Sequence, residues 1–174
     1  MDGVLVDFDD GVRKYTGIEP GEQGKRSKEE DDLMWSEIRK IDHFYYKLNP
    51  LPNALKMFDD IRKKYKDKVE ILTGIPKPKR HIAYSGEDKR EWIKKYIGED
   101  IVVHTVYKEE KQNYALGKEY VLIDDYIKNI NEWTNAGGSG IHYKKTTDII
   151  KELEKIERGS YESWAANRRC YRKY

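Results

Sequence analysis

The run Tyr120-Val121-Leu122-Ile123 stops directly in Asp124-Asp125. A short apolar run of this kind suits a strand buried on both faces. Ending it in two carboxylates constrains the fold strongly, because ligands in an open parallel sheet bind beyond the carboxyl ends of the strands. The same design recurs upstream. Val69-Glu70-Ile71-Leu72-Thr73 reads as a short strand that ends at Gly74. Ile101 to Val106 and Gly140 to Tyr143 are further strands. Helices separate them. One starts at Asn53 with Leu55, Phe58, Ile61 and Tyr65 on one face. A second follows a cap at Ser85, with Trp92, Ile93, Tyr96 and Ile97 inward. A third carries Ile127, Ile130 and Trp133 and ends at Gly137-Gly138. A fourth is capped by Thr147 and carries Ile149, Ile150, Leu153 and Ile156. Strands alternating with helices predict an α/β fold, a Rossmann-like parallel sheet with helices on both faces.

The first third of the chain is different. Residues 3–6 form an apolar patch between Asp2 and Asp7, and residues 16–26 read as a polar loop. Ser27 and Glu30 have the spacing of a capping box. The helix behind them is expected to run to about Lys47, with Leu33, Trp35, Ile38 and Ile41 on its apolar face. Asn49-Pro50-Leu51-Pro52 breaks it. No internal repeat is visible.

Composition narrows the class. Lys and Arg total 34 against 32 Asp and Glu, a net charge of +2, which gives no general case for nucleic-acid binding. The single cysteine, Cys170, excludes an internal disulfide framework and fits a reducing compartment. No apolar stretch approaches the roughly 20 residues that span a bilayer. Aspartates at 2, 7, 9 and 10 argue against a signal peptide. A cytoplasmic protein with no membrane partner is expected.

Three polar signals fall at strand ends or turns: Asp2 before the Gly-Val-Leu turn, Thr73, and Asp124-Asp125. Lys108 and Lys111 lie between the last two. Carboxylates for a hard cation, with a hydroxyl and an ammonium for phosphate oxygens, make a phosphoryl-transfer constellation. Each residue has a plainer role open to it. Asp124-Asp125 suits a helix N-cap, Thr73 a strand end, Lys111 a solvated surface and Phe8 the core. Trp92 and Trp133 read as packing residues. The histidines at 43, 81, 104 and 142 show no metal-ligand spacing and receive no role.

The sequence resembles the haloacid dehalogenase superfamily. Met-Asp-Gly-Val-Leu-Val-Asp-Phe at 1–8 is similar to its first motif, in the form found in pyrimidine 5′(3′)-deoxyribonucleotidases and their microbial and phage relatives. Ile-Leu-Thr-Gly at 71–74 resembles the second motif, Lys111 the third, and Leu-Ile-Asp-Asp at 122–125 the fourth. Lys89-Arg-Glu-Trp92 and the stretch from Asn129 to Gly138 also match that family. The resemblance implies a core of residues 1–14 and 50–157 with a small helical cap at 15–49. It implies Mg2+ as cofactor and a small-molecule nucleotide as substrate. Asp2 would be the general acid and base, its backbone carbonyl also helping to hold Mg2+. Thr73 and Lys111 would hold the phosphate, and Lys108 is the competing candidate for the latter place. Asp124 and Asp125 would serve the metal. Phe8, Gly74 and Trp35 would contact substrate, and Phe44 and Tyr45 would line the same pocket.

One departure stands out. The family's nucleophilic aspartate lies two residues before Asp2, a position outside these 174 residues, as is the strand leading into it. Five buried apolar side chains of such a strand contribute on the order of 8–15 kcal/mol at roughly 1.5–3 each. A whole domain is stable by about 5–15 kcal/mol. The expectation is therefore that Met1 is an internal methionine of a longer chain and that the 174 residues alone are inactive. A pseudoenzyme or a fragment is the alternative. Another phosphatase of the superfamily, acting on sugar phosphates or polynucleotide 3′ ends, and a non-catalytic nucleotide- or RNA-binding module also stay open. The tail 158–174 interleaves Arg158, Arg168, Arg169, Arg172 and Lys173 with Tyr161, Trp164, Tyr171 and Tyr174. That pattern suits single-stranded nucleic acid, although a packed or frayed terminal helix is the plainer expectation.

Overall fold

The computed structural model describes the backbone of residues 1–171 and side chains through Ser160. The chain divides into two compact units, Met1–Lys111 and Gln112–Tyr174.

In the first unit the N-terminus folds back on itself. The Met1 carbonyl accepts from the N–H groups of Val4, Leu5 and Val6, at 3.2, 2.8 and 3.2 Å. Gly3 makes the turn possible with φ of 70°. Val4, Leu5 and Val6 are buried, so the apolar patch at 3–6 is a packed turn. Helix α1 (Phe8–Thr16) follows, in a stretch where the sequence pattern suggested none. Its ends obey simple rules. The Asp7 side chain accepts from Asp10 N, Asp9 and Asp10 occupy the first turn, and Arg13 and Lys14 the last. Gly17 closes it at φ 73°.

Helix α2 (Lys28–Ile38) opens with the expected capping box, Ser27 Oγ accepting from Glu30 N at 3.1 Å and Ser27 N donating to Glu30 Oε2 at 2.7 Å. It ends at Ile38 and does not reach Lys47; a 3-10 turn covers Tyr45–Lys47. Its inward pair is Met34 and Ile38, one helical turn apart, and this turns Leu33 outward to 54% exposure. Helix α3 (Ala54–Tyr65) buries Phe58 and Ile61 as predicted.

Strands β1 (Ile71–Ile75) and β2 (Val103–Tyr107) pair in parallel, Ile71 opposite Val103 through Ile75 opposite Tyr107. Helix α4 (Ser85–Tyr96) connects them. Ser85 does not cap α4. Tyr84 takes the cap position in the left-handed region, φ 57°, and Ser85 is the first helical residue. Trp92 is fully buried, its indole N–H donating to the Leu48 carbonyl at 2.8 Å.

The second unit repeats the pattern. Strands β3 (Val121–Asp124) and β4 (Ser139–His142) are parallel, Val121 opposite Ser139. Helix α5 (Ile127–Asn135) connects them. Trp133 donates from its indole to the Tyr120 carbonyl at 3.1 Å. Helix α6 (Ile149–Tyr171) comes last. The N–H of Lys151, third residue of the helix, donates to Asp148 Oδ1, whereas the Thr147 hydroxyl accepts from Lys144 N; the cap is thus one residue later than predicted.

The α/β class and the parallel strands agree with the sequence. The strands bond as parallel pairs, one in each unit. Residues 3–6 commit their N–H groups to their own turn. No helix among the described residues is long and apolar enough to cross a membrane. The expectation for the aromatic and basic tail falls mostly on side chains from Tyr161 onward, outside the described residues.

Candidate active site

The end of β1 carries a buried polar cluster. Thr73 is 1% exposed and shares the buried face of the strand with Ile71. Lys89 reaches it from the first half of α4 and is 0% exposed. Its ammonium donates to the Asp2 carboxylate, to Thr73 Oγ1 at 3.2 Å and to the Gly74 carbonyl at 2.8 Å. The Tyr45 ring lies 4.3 Å away, adding a cation–π contact. Burial lowers the Lys89 pKa; the Asp2 charge and hydrogen bond oppose that, and nearby Lys111 reinforces it. Tyr45 is driven well above an ordinary phenol, first by burial and then by the charges of Asp2 and Asp88.

Lys111 is buried beside the same turn. A side-chain carbon placed on Gly74 would stand 3.9 Å from Lys111 Cε and 3.9 Å from Lys108 Cα, so both lysines flank this glycine. Lys111 contributes the buried ammonium-bearing chain of the two. Asp2, Thr73, Gly74 and Lys111, four residues singled out from sequence, thus meet in the first unit. Asp2 Oδ1 is buried and has no partner.

Phe8 and Trp35 also come together. Phe8 on α1 lies 6.1 Å from Trp35 on α2, 5.8 Å from Phe44 and 6.3 Å from Tyr45. Arg80 sits 5.9 Å over Trp35 and bonds Asp31 and Asp32 of α2, the second at 2.5 Å. Tyr45 joins this aromatic group to Lys89.

Asp124 and Asp125 belong to the second unit. Asp124 is 5% exposed, and its Oδ1 accepts from Tyr126 N and from Asn129 Nδ2, each at 2.9 Å. It thereby shapes the start of α5, as an N-terminal aspartate does. Asn129 Oδ1 is buried without a partner. Asp125 is exposed, and its carbonyl lies 2.9 Å from His142 Nε2. Among the described residues, no three His, Cys, Asp or Glu side chains gather into one cation cluster.

Two groups had no role assigned from sequence. The first is Lys89, which is three residues before inward Trp92 and four before Ile93, so helical spacing alone turned it inward. The second is His43 with Asp88. Asp88 is 3% exposed, its Oδ1 lies 2.7 Å from His43 Nδ1, and its Oδ2 has no partner. The His43 ring stacks on Tyr84 at 4.9 Å and 21°. Both residues hold positive φ, 49° and 57°, a conformation costly for side chains of this size. The Asp88 hydrogen bond raises the His43 pKa; Asp42 and Asp88 charges add to it, while partial burial and Lys47 oppose it.

Two open grooves, of about 320 and 550 Å³, are lined elsewhere, by residues such as Arg90 and Val103 or Arg62 and Lys66. The buried charge at the end of β1 marks the chemically specialised place in this unit better than either groove. No family model matches the chain, and no curated protein matches it.

Proposed function

We propose that the protein is a Mg2+-dependent phosphatase of haloacid dehalogenase type that hydrolyses nucleoside monophosphates, deoxyribonucleotides preferred. The observation that carries this is the cluster at the end of β1, where Asp2, Thr73, Gly74, Lys89 and Lys111 meet. A hydroxyl and two ammonium groups beside one carboxylate suit a phosphate ester next to a group that moves protons.

In this reading Thr73 and Lys111 hold the phosphate. Asp2 keeps one oxygen on Lys89 and offers the other, unpartnered Oδ1, for proton transfer. A carboxylate two residues before Asp2 attacks phosphorus, the ester P–O bond breaks, and Asp2 gives its proton to the leaving oxygen. Asp2 then takes a proton from water, which attacks the aspartyl-phosphate and releases phosphate. Phe8 and Trp35, both partly exposed, would bind the base, with the buried Phe44 and Tyr45 packed behind them. Asp124 and Asp125, both in the second unit, would hold Mg2+. Asp124 fits that use, because N–H donors orient its Oδ1, and Asn129 Oδ1 beside it is buried and unpartnered. When bound, Mg2+ offsets the charge of the phosphate oxygens.

The test measures phosphate release from dUMP and dTMP with Mg2+. One sample is the 174-residue chain and the other is the same chain extended by the codons preceding Met1. Turnover is expected only from the extended chain. Equal, substantial turnover by the shorter one would overturn the proposal.

A further inference from the structure

Lys89 has three N–H donors and no acceptor. The three acceptors around it are Asp2 Oδ2, Thr73 Oγ1 and the Gly74 carbonyl, and the Tyr45 ring covers it as well. Its donors are therefore fully engaged, and the side chain is 0% exposed. It has nothing left with which to hold a ligand. What it does instead follows from hydrogen-bond accounting. A hydroxyl that accepts from an ammonium must point its own proton elsewhere. Thr73 is 1% exposed, so a misdirected or unsatisfied hydroxyl there would be costly.

We infer that Lys89 is a positioning residue that fixes the rotor of the Thr73 hydroxyl so that its proton is presented, pre-aimed, to a phosphate oxygen at the end of β1. The inference rests on the phosphatase reading and deepens it by giving the site its donor. Lys89 acts through Thr73 and does not itself touch the anion. This differs from a purely electrostatic lysine, whose contribution would be independent of the hydroxyl. Preorganised donors gain their effect by needing no rearrangement when the anion arrives.

The two accounts separate in a double-mutant cycle on binding of inorganic phosphate, followed by calorimetry with Mg2+ present. The four proteins are the full chain, Lys89→Met, Thr73→Val and the double variant. If Lys89 works by aiming the hydroxyl, each single change weakens phosphate binding by about tenfold or more. The double variant then binds no more weakly than Thr73→Val, because the aimed group is already gone. Losses that multiply, or phosphate binding by Lys89→Met equal to that of the unaltered chain, would overturn the inference and leave the phosphatase reading standing. No phosphate binding by the unaltered chain would remove that reading, and the inference with it. Circular dichroism checks folding. If Lys89→Met does not fold, Asp2→Asn with Lys89→Met, compared with Asp2→Asn alone in the same cycle, balances the buried charge and keeps the same two outcomes.

Discussion

Strands β1 and β3 solve one problem in two ways. Each strand carries a polar residue that is almost fully buried, Thr73 at the middle of β1 and Asp124 at the end of β3. Each is fixed by the helix that follows, through Lys89 of α4 and Asn129 of α5. An ammonium does the fixing in one case and a neutral amide in the other. The ammonium brings charge and can only donate. The amide donates from one end and keeps an unpartnered acceptor at the other. On the phosphatase reading, the first is made to receive an anion and the second to keep its own negative charge for a cation. On that reading the same strand-helix-strand unit would serve an anion or a cation according to one side chain on the connecting helix.

The comparison extends to a glycine in each unit, and these give the largest expected effect. A Cβ on Gly138 would lie 2.1 Å from the indole nitrogen of Trp133, a rigid side chain bonded to the Tyr120 carbonyl. Gly138→Ala should cost about 3 kcal/mol in urea unfolding, since it overpacks the site and strains that bond. A Cβ on Gly11 would lie 2.0 Å from Leu48 Cδ2. A leucine can change rotamer, and alanine favours α1 by about 1 kcal/mol over glycine. Gly11→Ala should therefore cost about 1 kcal/mol. Equal losses would show that the two glycines accommodate the same kind of contact. Next comes Asn129→Ala, which removes the amide from Asp124. About 2 kcal/mol of stability should go, as for a hydrogen bond to a charged group. Mg2+ binding should weaken about 10–100-fold, as when a partner orienting a metal ligand is removed. Unchanged Mg2+ affinity would separate Asn129 from any metal role.

The smallest effect concerns pH. His43 has a pKa raised by the Asp88 hydrogen bond, with Asp42 adding to it and Lys47 opposing. A raised folded-state pKa gives stability that is complete below the unfolded value and lost as pH rises through the folded one. His43→Gln should therefore be most destabilising below about pH 6.5, the ordinary histidine value, with the difference from the unaltered chain shrinking at higher pH. A difference that is flat across pH 5 to 9 would mean that the His43 contact with Asp88 does not depend on charge.

Local chemistry was legible in the sequence and distant pairing was not. The capping box needs only Ser27 and Glu30, and it is present. The apolar runs at 71–72 and 121–123 fall in strands, although only one face of each is fully buried, at Ile71 and Leu122. Helix α1 was readable from Asp7 and Gly17 but was masked by its polar first turn. The start of α4 was misjudged because Tyr84 adopts a backbone region normally left to glycine or asparagine. Met34, not Leu33, faces inward, a one-residue shift that helical periodicity resolves poorly when both are apolar. In the candidate site, Asp2 and Thr73 could be chosen by residue type and position, and Lys111 by the family resemblance. Lys89 could not be given a role, because what makes it stable in the interior is an aspartate 87 residues away in the chain.

Trp92 and Trp133 have a practical consequence. Each is buried, one in each unit, with its indole N–H tied to a backbone carbonyl of its own unit. The chain thus carries two built-in fluorophores whose emission colour depends on separate surroundings. Replacing the other tryptophans by phenylalanine would leave one lamp per unit. Loss of the bond to Leu48 would then be seen apart from loss of the bond to Tyr120. Unfolding of the two halves can be timed against each other in a single cuvette, with no label attached.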